Sequence, residues 1–207
     1  MNAFERSLAK SLGRDNLARI QRVKVGIAGA GGLGSNCALF LVRSGFKRLR
    51  LVDFDLVEYS NLNRQFFFAA QVGRQKVDAL KENLLLINPK LEIEIMPERI
   101  EQENAGEIFA DCDAVVEALD LAGSKKMLVE AILNTGKLLV AASGVAGWGR
   151  IDDIKICRVK NNFYLVGDLV SEAAPGCPVL APGVNVAAAK QADIVLSYFL
   201  RSDKLCL

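Results

Sequence analysis

Hydrophobic and polar positions along the chain alternate between short apolar runs and stretches of helical spacing. Phe4, Leu8, Leu12, Leu17 and Ile20 recur at roughly helical intervals, which predicts one or two short helices over 3–20 with a break near Gly13. Residues 23–28 (VKVGIA) form a β-branched run of strand length. A glycine cluster follows at once, then a helix over 35–44 that stops at Gly45, a residue suited to the C′ position. A strand over 49–53, an irregular polar stretch and a helix over 74–87 come next, the helix closed by Asn88-Pro89. The run 91–96 (LEIEIM) alternates charged and apolar side chains, as a half-exposed strand does. A helix near 101–109, a strand over 114–118, a helix near 123–135 and a strand over 138–142 continue the pattern. This repeat predicts the α/β class: a Rossmann-like, mostly parallel sheet with helices on both faces.

After residue 143 the order changes. The segment 143–149 is glycine-rich and irregular, and 151–158 and 163–166 read as an antiparallel pair around Lys160-Asn161-Asn162. A loop with three prolines is expected over 171–185 and an apolar helix over 186–200. The core therefore carries a short antiparallel C-terminal extension, with no internal repeat and no low-complexity linker.

Composition narrows the functional classes. A chain of 207 residues, 51% hydrophobic and 24% charged, suits one globular α/β domain. No apolar run reaches the roughly 18 residues of a membrane span. The amino-terminal stretch has no apolar block, so a cytoplasmic protein with no membrane partner is expected. A net charge of +2 without a Lys/Arg run disfavours nucleic acid as a partner. Five scattered cysteines with no Cys-x-x-Cys pair argue against a disulfide framework and a zinc ribbon, so no zinc is expected. Cys37 and Cys112 read as packing residues. The absence of histidine excludes Ser-His-Asp and Cys-His nucleophile pairs and histidine acid–base chemistry.

The candidate chemistry begins at Gly29-Ala30-Gly31-Gly32-Leu33-Gly34. A glycine loop between strand and helix lets backbone approach phosphate, and the helix start adds free N–H groups and a positive dipole end. Asp53 stands 19 residues after Gly34 at a predicted strand end, where a ribose-binding acid belongs. Alone, this favours a dinucleotide such as NAD; a glycine turn without ligand is the bland alternative. The run Asp53-Phe54-Asp55-Leu56-Val57-Glu58-Tyr59-Ser60-Asn61-Leu62-Asn63-Arg64-Gln65 shifts the balance. It ends in a guanidinium able to grip phosphate in a bidentate fork, which nucleotidyl transfer requires and hydride transfer does not.

The loop GAGGLG, the run DFDLVEYSNLNRQ, the element VGRQKVDALKENLLLINP and the later VVEALD resemble the ThiF/MoeB/HesA adenylyltransferases, relatives of the ubiquitin-activating enzymes, over about residues 20–150. The short chain without zinc cysteines is most similar to the compact second type of ThiF associated with thiamine biosynthesis. The resemblance implies ATP- and Mg²⁺-dependent activation of the C-terminal glycine of a small β-grasp sulfur carrier ending in Gly-Gly, such as ThiS; the same chemistry on a molybdopterin-type carrier, a peptide C terminus or a modified tRNA, and a catalytically silent carrier-docking subunit, are the alternatives. A separate sulfur donor protein and a homodimer are implied with it. It divides the chain into an N-terminal helical segment (1–22), a nucleotide-binding core (23–142) and a reduced carrier-docking region with the last helix (143–207).

By position in the family, Gly29, Gly31, Gly32 and Gly34 form the phosphate loop, Asp53 binds the ATP ribose, and Asp55 is a further cofactor-binding residue. Asn61, Arg64, Gln65 and Lys76 face the phosphates, and Asp120 holds Mg²⁺. Read without the family, Lys76 is a solvated helix charge and Asp120 a helix cap. The family also brings an N-terminal arginine from the other subunit to ATP, here Arg6 with Arg14 as the alternative. Cys177, in PGCPV, is the cysteine placed for a thioester or persulfide step, or is an incidental loop residue. Leu121 and Lys125 stand where many relatives have Asn and Arg.

Overall fold

The computed structural model describes residues 1–200. Two short helices open the chain, α1 (Ala3–Leu12) and α2 (Arg14–Arg22), broken at Gly13 as expected. Then follow β1 (Lys24–Ala28), α3 (Gly32–Ser44), β2 (Arg48–Val52), α4 (Lys76–Ile87), β3 (Glu92–Met96), α5 (Ala105–Ile108), β4 (Ala114–Glu117), α6 (Ala122–Ile132) and β5 (Leu138–Ala142). The C-terminal part adds β6 (Lys155–Lys160), β7 (Phe163–Gly167) and α7 (Ala181–Leu200). The seven strands form one sheet in the order β3-β2-β1-β4-β5-β7-β6, parallel except for β6 against β7. Strand order reverses between β1 and β4, so the carboxyl ends of β1, β2 and β4 frame the crevice where open α/β sheets bind ligands.

Alternate residues of each central strand feed two cores. Val25, Ile27, Leu49, Leu51, Val116 and Val140 face the side covered by α3, α4 and α7. Val52, Val115, Leu139 and Ala141 face α5 and α6 with Phe109 and Leu128. The apolar strands are buried on both faces, as a parallel sheet requires. No helix among the described residues is long and apolar enough to cross a membrane.

Several boundaries depart from expectation. The last helix begins at Ala181 rather than 186, because Pro182 falls in its first turn, where a missing N–H is tolerated. Residues 151–153 form a 3₁₀ turn and β6 starts only at Lys155. The helix expected over 101–109 is the single turn Ala105–Ile108, and α3 starts inside the glycine loop, at Gly32 rather than 35. The antiparallel pair joins the main sheet, with β7 inserted beside β5. Cys206 lies outside the described residues.

One sheet region is held by charge. Lys24, 3% exposed, places its ammonium 2.6 Å from both Glu94 and Asp111, and Arg50 lies 2.6 Å from Asp111. Hydrogen bonds from Lys24 and Arg50 hold the Glu94 carboxyl below its ordinary value of 4.5, and Lys24 chiefly does the same for Asp111 below 3.8. A carboxylate whose folded pKa is depressed contributes stability above its unfolded pKa and loses it as pH falls through the folded one. The network is therefore intact at neutral pH and dismantled by acid. In thermal melts, Asp111→Asn is expected to lower Tm at pH 7 and to match wild type in acid below the depressed folded pKa of Asp111, which itself lies under 3.8. An equal gap at both pH values would mean that the ion pairs contribute nothing.

Candidate functional site

The site is built from the loops leaving β1 and β2. Gly29, at φ +94°, turns the chain out of β1, and its amide donates to the Val52 carbonyl at 2.8 Å. A Cβ there would come within 2.7 Å of the Ala118 carbonyl, so only glycine lets the loop rest on the end of β4. Asp53 follows β2, 9% exposed. One of its oxygens accepts the Ala30 amide at 2.6 Å and the other the Asp55 amide at 2.8 Å. Burial raises its pKa, opposed by the Asp55 amide, the Lys76 charge and the Ala30 amide. Each oxygen thus anchors one loop and keeps a second lone pair for a ligand hydroxyl.

The polar run folds back onto the glycine loop. Asn36, buried on α3, donates to the carbonyls of Gly32 at 2.7 Å and Arg64 at 2.8 Å. Ser35 Oγ accepts the Phe66 amide at 3.0 Å. These ties put the Arg64 stem against Gly32, where a Cβ would lie 3.5 Å from Cγ, and bring Gln65 Nε2 within 3.8 Å of a Cβ placed on Gly31. The Arg64 guanidinium reaches the Ser60 carbonyl at 3.0 Å and Asn63 Oδ1 at 2.7 Å. Asn61 is buried, and its Oδ1 accepts the Glu58 amide at 3.0 Å, so its side-chain oxygen shapes the turn that carries Arg64.

Lys76 is not a solvated charge. It opens α4, is 6% exposed, pairs with the Asp55 carboxylate at 2.7 Å and donates its own amide to the Asp55 carbonyl at 3.0 Å, so side chain and backbone both tie the start of α4 to the turn after β2. Asp120 follows β4 in the turn resting on Gly29. It is exposed, and it does not cap α6: Leu121 is the N-cap residue and there is no side-chain cap. Among the described residues no cluster of three or more His, Cys, Asp or Glu could hold a metal. A lone free carboxylate suits a cation that takes its remaining ligands from phosphate and water.

Other predicted residues lie elsewhere. Arg6 is exposed on α1, which packs by Leu8 near Gly45, at the opposite end of α3 from the glycine loop. Arg14, on α2, is likewise exposed. Cys177 is half-buried beside Gly147, lining a groove of about 320 Å³ with Trp148, Ile151, Ile154 and Leu180. Gly183 lines the same groove, and its neighbour Val184 approaches Gly32, so the first turn of α7 separates groove from glycine loop. Burial raises the Cys37 thiol, and pushes that of Cys112 up to about 11, as fits packing residues. The sequence reading missed Ser35 and Asn36, although two adjacent polar residues at the start of an apolar helix were a usable signal. It also missed the pair of buried Glu117 and half-buried Lys125, 3.0 Å apart, in which burial raises the Glu117 carboxyl against the opposing Lys125 charge.

A doubly wound sheet with a glycine loop, an acid at the end of β2 and cationic groups around both defines a Rossmann-like α/β protein with a glycine-loop crevice at the carboxyl ends of its strands. The profile of the ThiF family matches residues 4–205, and the chain belongs to that family. It is 38% identical over 134 residues to the adenylyltransferase and sulfurtransferase UBA4 of Candida glabrata, covering 64% of this chain and 31% of that protein. It is 36% identical over 130 residues to the sulfur carrier protein adenylyltransferase of Thermus thermophilus, covering 62% and 48%. The chain thus spans less than a third of the first of these relatives and less than half of the second. In fold it is similar to the E. coli tRNA N6-threonylcarbamoyladenosine dehydratase TcdA in complex with AMP, with a TM-score of 0.85 at 20% identity, over 94% of this chain and 92% of that one.

Proposed function

We infer that the protein is an ATP-dependent adenylyltransferase that activates the C-terminal carboxylate of a small ubiquitin-like sulfur carrier. The observation that carries this reading is the return of the polar run onto the glycine loop, with Arg64 on Gly32, Gln65 beside Gly31 and Lys76 buried at the start of α4. The family and the names of both relatives support it.

In this reading the glycine loop and the second lone pairs of Asp53 hold the nucleotide, the acid taking the ribose. Arg64 and Lys76 meet the phosphates, and Asp120 holds Mg²⁺, which when bound neutralises phosphate charge. A carboxylate oxygen of the carrier attacks the α-phosphorus in line, an O–P bond forms, the bond to the bridging oxygen breaks, and pyrophosphate leaves. Orientation and charge neutralisation carry the catalysis. No side-chain base is required, because the nucleophile is already ionised at neutral pH. The groove beside Gly147 and Trp148 receives the carrier's C-terminal segment, which passes the first turn of α7 to reach the glycine loop, and Cys177 on the groove wall is the candidate for a later thioester or persulfide step. Because Arg6 sits at the far end of its own α3, it enters an ATP site only from a second copy, in a homodimer.

The finer assignment is to a ThiS-like carrier of thiamine thiazole synthesis, with sulfur arriving from a separate donor protein. ATP–pyrophosphate exchange with a panel of carriers ending in Gly-Gly and a carboxyl-bearing modified tRNA tests it. Exchange is expected with a ThiS-like carrier and to vanish when its last glycine is removed. Exchange with a molybdopterin-type carrier or the tRNA alone would move the substrate. No exchange with any of them, together with NAD binding tighter than ATP, would end the adenylylation reading.

A further inference from the structure

Three residues before Asp120 lies a buried carboxylate paired with a half-buried lysine, and the reaction does not use the pair. Glu117, the last residue of β4, is 1% exposed, and both its carboxylate oxygens take Lys125 Nζ, at 3.0 and 3.2 Å. One of those oxygens also accepts the Leu119 amide at 2.7 Å. The same ammonium reaches the Ala142 carbonyl at 3.1 Å, at the end of β5.

This arrangement runs against local preference. A cation near the start of α6 opposes the helix dipole, and a buried carboxylate is costly unless paired and hydrogen-bonded. Apolar residues of similar volume commonly hold a helix to a sheet at least as well. What they cannot do is grip the Leu119 amide and so fix the turn over 118–121. The turn is also held from two other sides. Gln191 of α7 donates to the Glu117 carbonyl at 3.1 Å, and the glycine loop rests on Ala118, with room for no side chain at Gly29. Asp120 is therefore anchored through its backbone neighbours, while its carboxylate makes no bond to any described residue.

We propose that Glu117 and Lys125 are positioning residues: they set Asp120 at a fixed distance from the glycine loop, and thereby the strength with which a divalent cation is shared between Asp120 and nucleotide phosphate. Neither touches nucleotide or metal. The inference rests on the ATP and Mg²⁺ reading above.

The test is ATP binding by calorimetry, with Mg²⁺ and with EDTA, in wild type, Lys125→Met, Lys125→Arg and the double variant Glu117→Met/Lys125→Met, which also removes the acceptor for the Leu119 amide, with a melting curve for each. Should Lys125→Met fail to fold around its unpaired carboxylate, the double variant, which buries no charge there, supplies the measurement. In the folded variant lacking the pair, metal-free ATP affinity is expected to stay within about twofold of wild type. The gain in affinity on adding Mg²⁺ falls about tenfold, equal to about 1.4 kcal/mol of coupling. Lys125→Arg, a cation that reaches the same carboxylate, keeps the gain. An unchanged Mg²⁺ gain in the double variant overturns the proposal, and so does an equal loss of affinity with and without metal, which is a merely structural effect. If wild type itself shows ATP binding indifferent to Mg²⁺, the metal reading fails and the proposal falls with it; that result is distinguishable because it needs no variant.

Discussion

Asp53→Ala is expected to weaken ATP binding about a hundredfold or more, because two hydrogen bonds from ribose hydroxyls to an ionised acceptor contribute about 1.5–3 kcal/mol each. The effect has a second source within the protein. The two carboxylate oxygens of Asp53 take the amides of Ala30 and Asp55, so the side chain also sets the glycine loop against the β2 turn. Asp53→Asn separates the two. It keeps the shape but has only one acceptor atom, and leaves one of those amides facing an NH₂ group. The Asn variant should therefore recover little of the lost affinity, whereas Asp53→Glu keeps both acceptors but at the wrong reach. Titration with ATP and with adenosine checks the assignment. If Asp53→Ala binds adenosine as wild type does but loses ATP, the acid is not at the ribose and the orientation of the nucleotide is reversed.

Much of this site is legible in the sequence. Strand, glycine loop and helix are adjacent along the chain, and Asp53 falls at a strand end whose position the hydrophobic pattern places. Local order is therefore enough to set Gly29, Asp53 and Arg64 near one another. Distance along the chain defeats the rest. Nothing in the run 163–166 says that this strand enters the sheet beside β5, because the pattern of alternating residues reports faces and not neighbours. The prolines of 171–185 read as a loop, although Pro182 is compatible with a first helical turn, and so the cover that α7 gives the glycine loop through Val184 goes unseen. Lys76 looks like any charge on a helix; its burial follows from Asp55, 21 residues earlier, returning to meet it. Glu117 looks like one polar residue in a strand, and only the fold shows Lys125 beneath the same turn. Arg6 stands out by its spacing from the loop, yet α1 docks at the other end of α3, so within one copy the spacing does not bring Arg6 to the loop.

The glycine loop itself separates stability from ligand binding, and two alanine substitutions should pull them apart. A Cβ on Gly34 would overlap the carbonyl oxygen of Gly29 outright and crowd Ile27, because α3 crosses β1 there with no space for a side chain. The backbone cannot yield without moving α3 away from the strand, so Gly34→Ala is expected to cost about 3 kcal/mol or more. For a domain of this size that is a Tm lower by roughly 6–12 °C. Gly31 is the opposite case. It sits at the N-cap of α3 with φ −77° and ψ −151°, a conformation open to any residue, and a Cβ there meets only Gln65 Nε2, at 3.8 Å. Gly31→Ala should therefore lose only the small cost of alanine at an N-cap, within about 1 kcal/mol of wild type. If the loop amides receive phosphate as proposed, the methyl group beside Gln65 narrows their approach, and ATP affinity is expected to fall more than about tenfold. Melting curves and ATP titrations of the two variants decide the matter. A Gly34→Ala protein as stable as wild type would mean that the helix and strand do not approach so closely, and a Gly31→Ala protein that binds ATP normally would remove the glycine loop from the phosphate site.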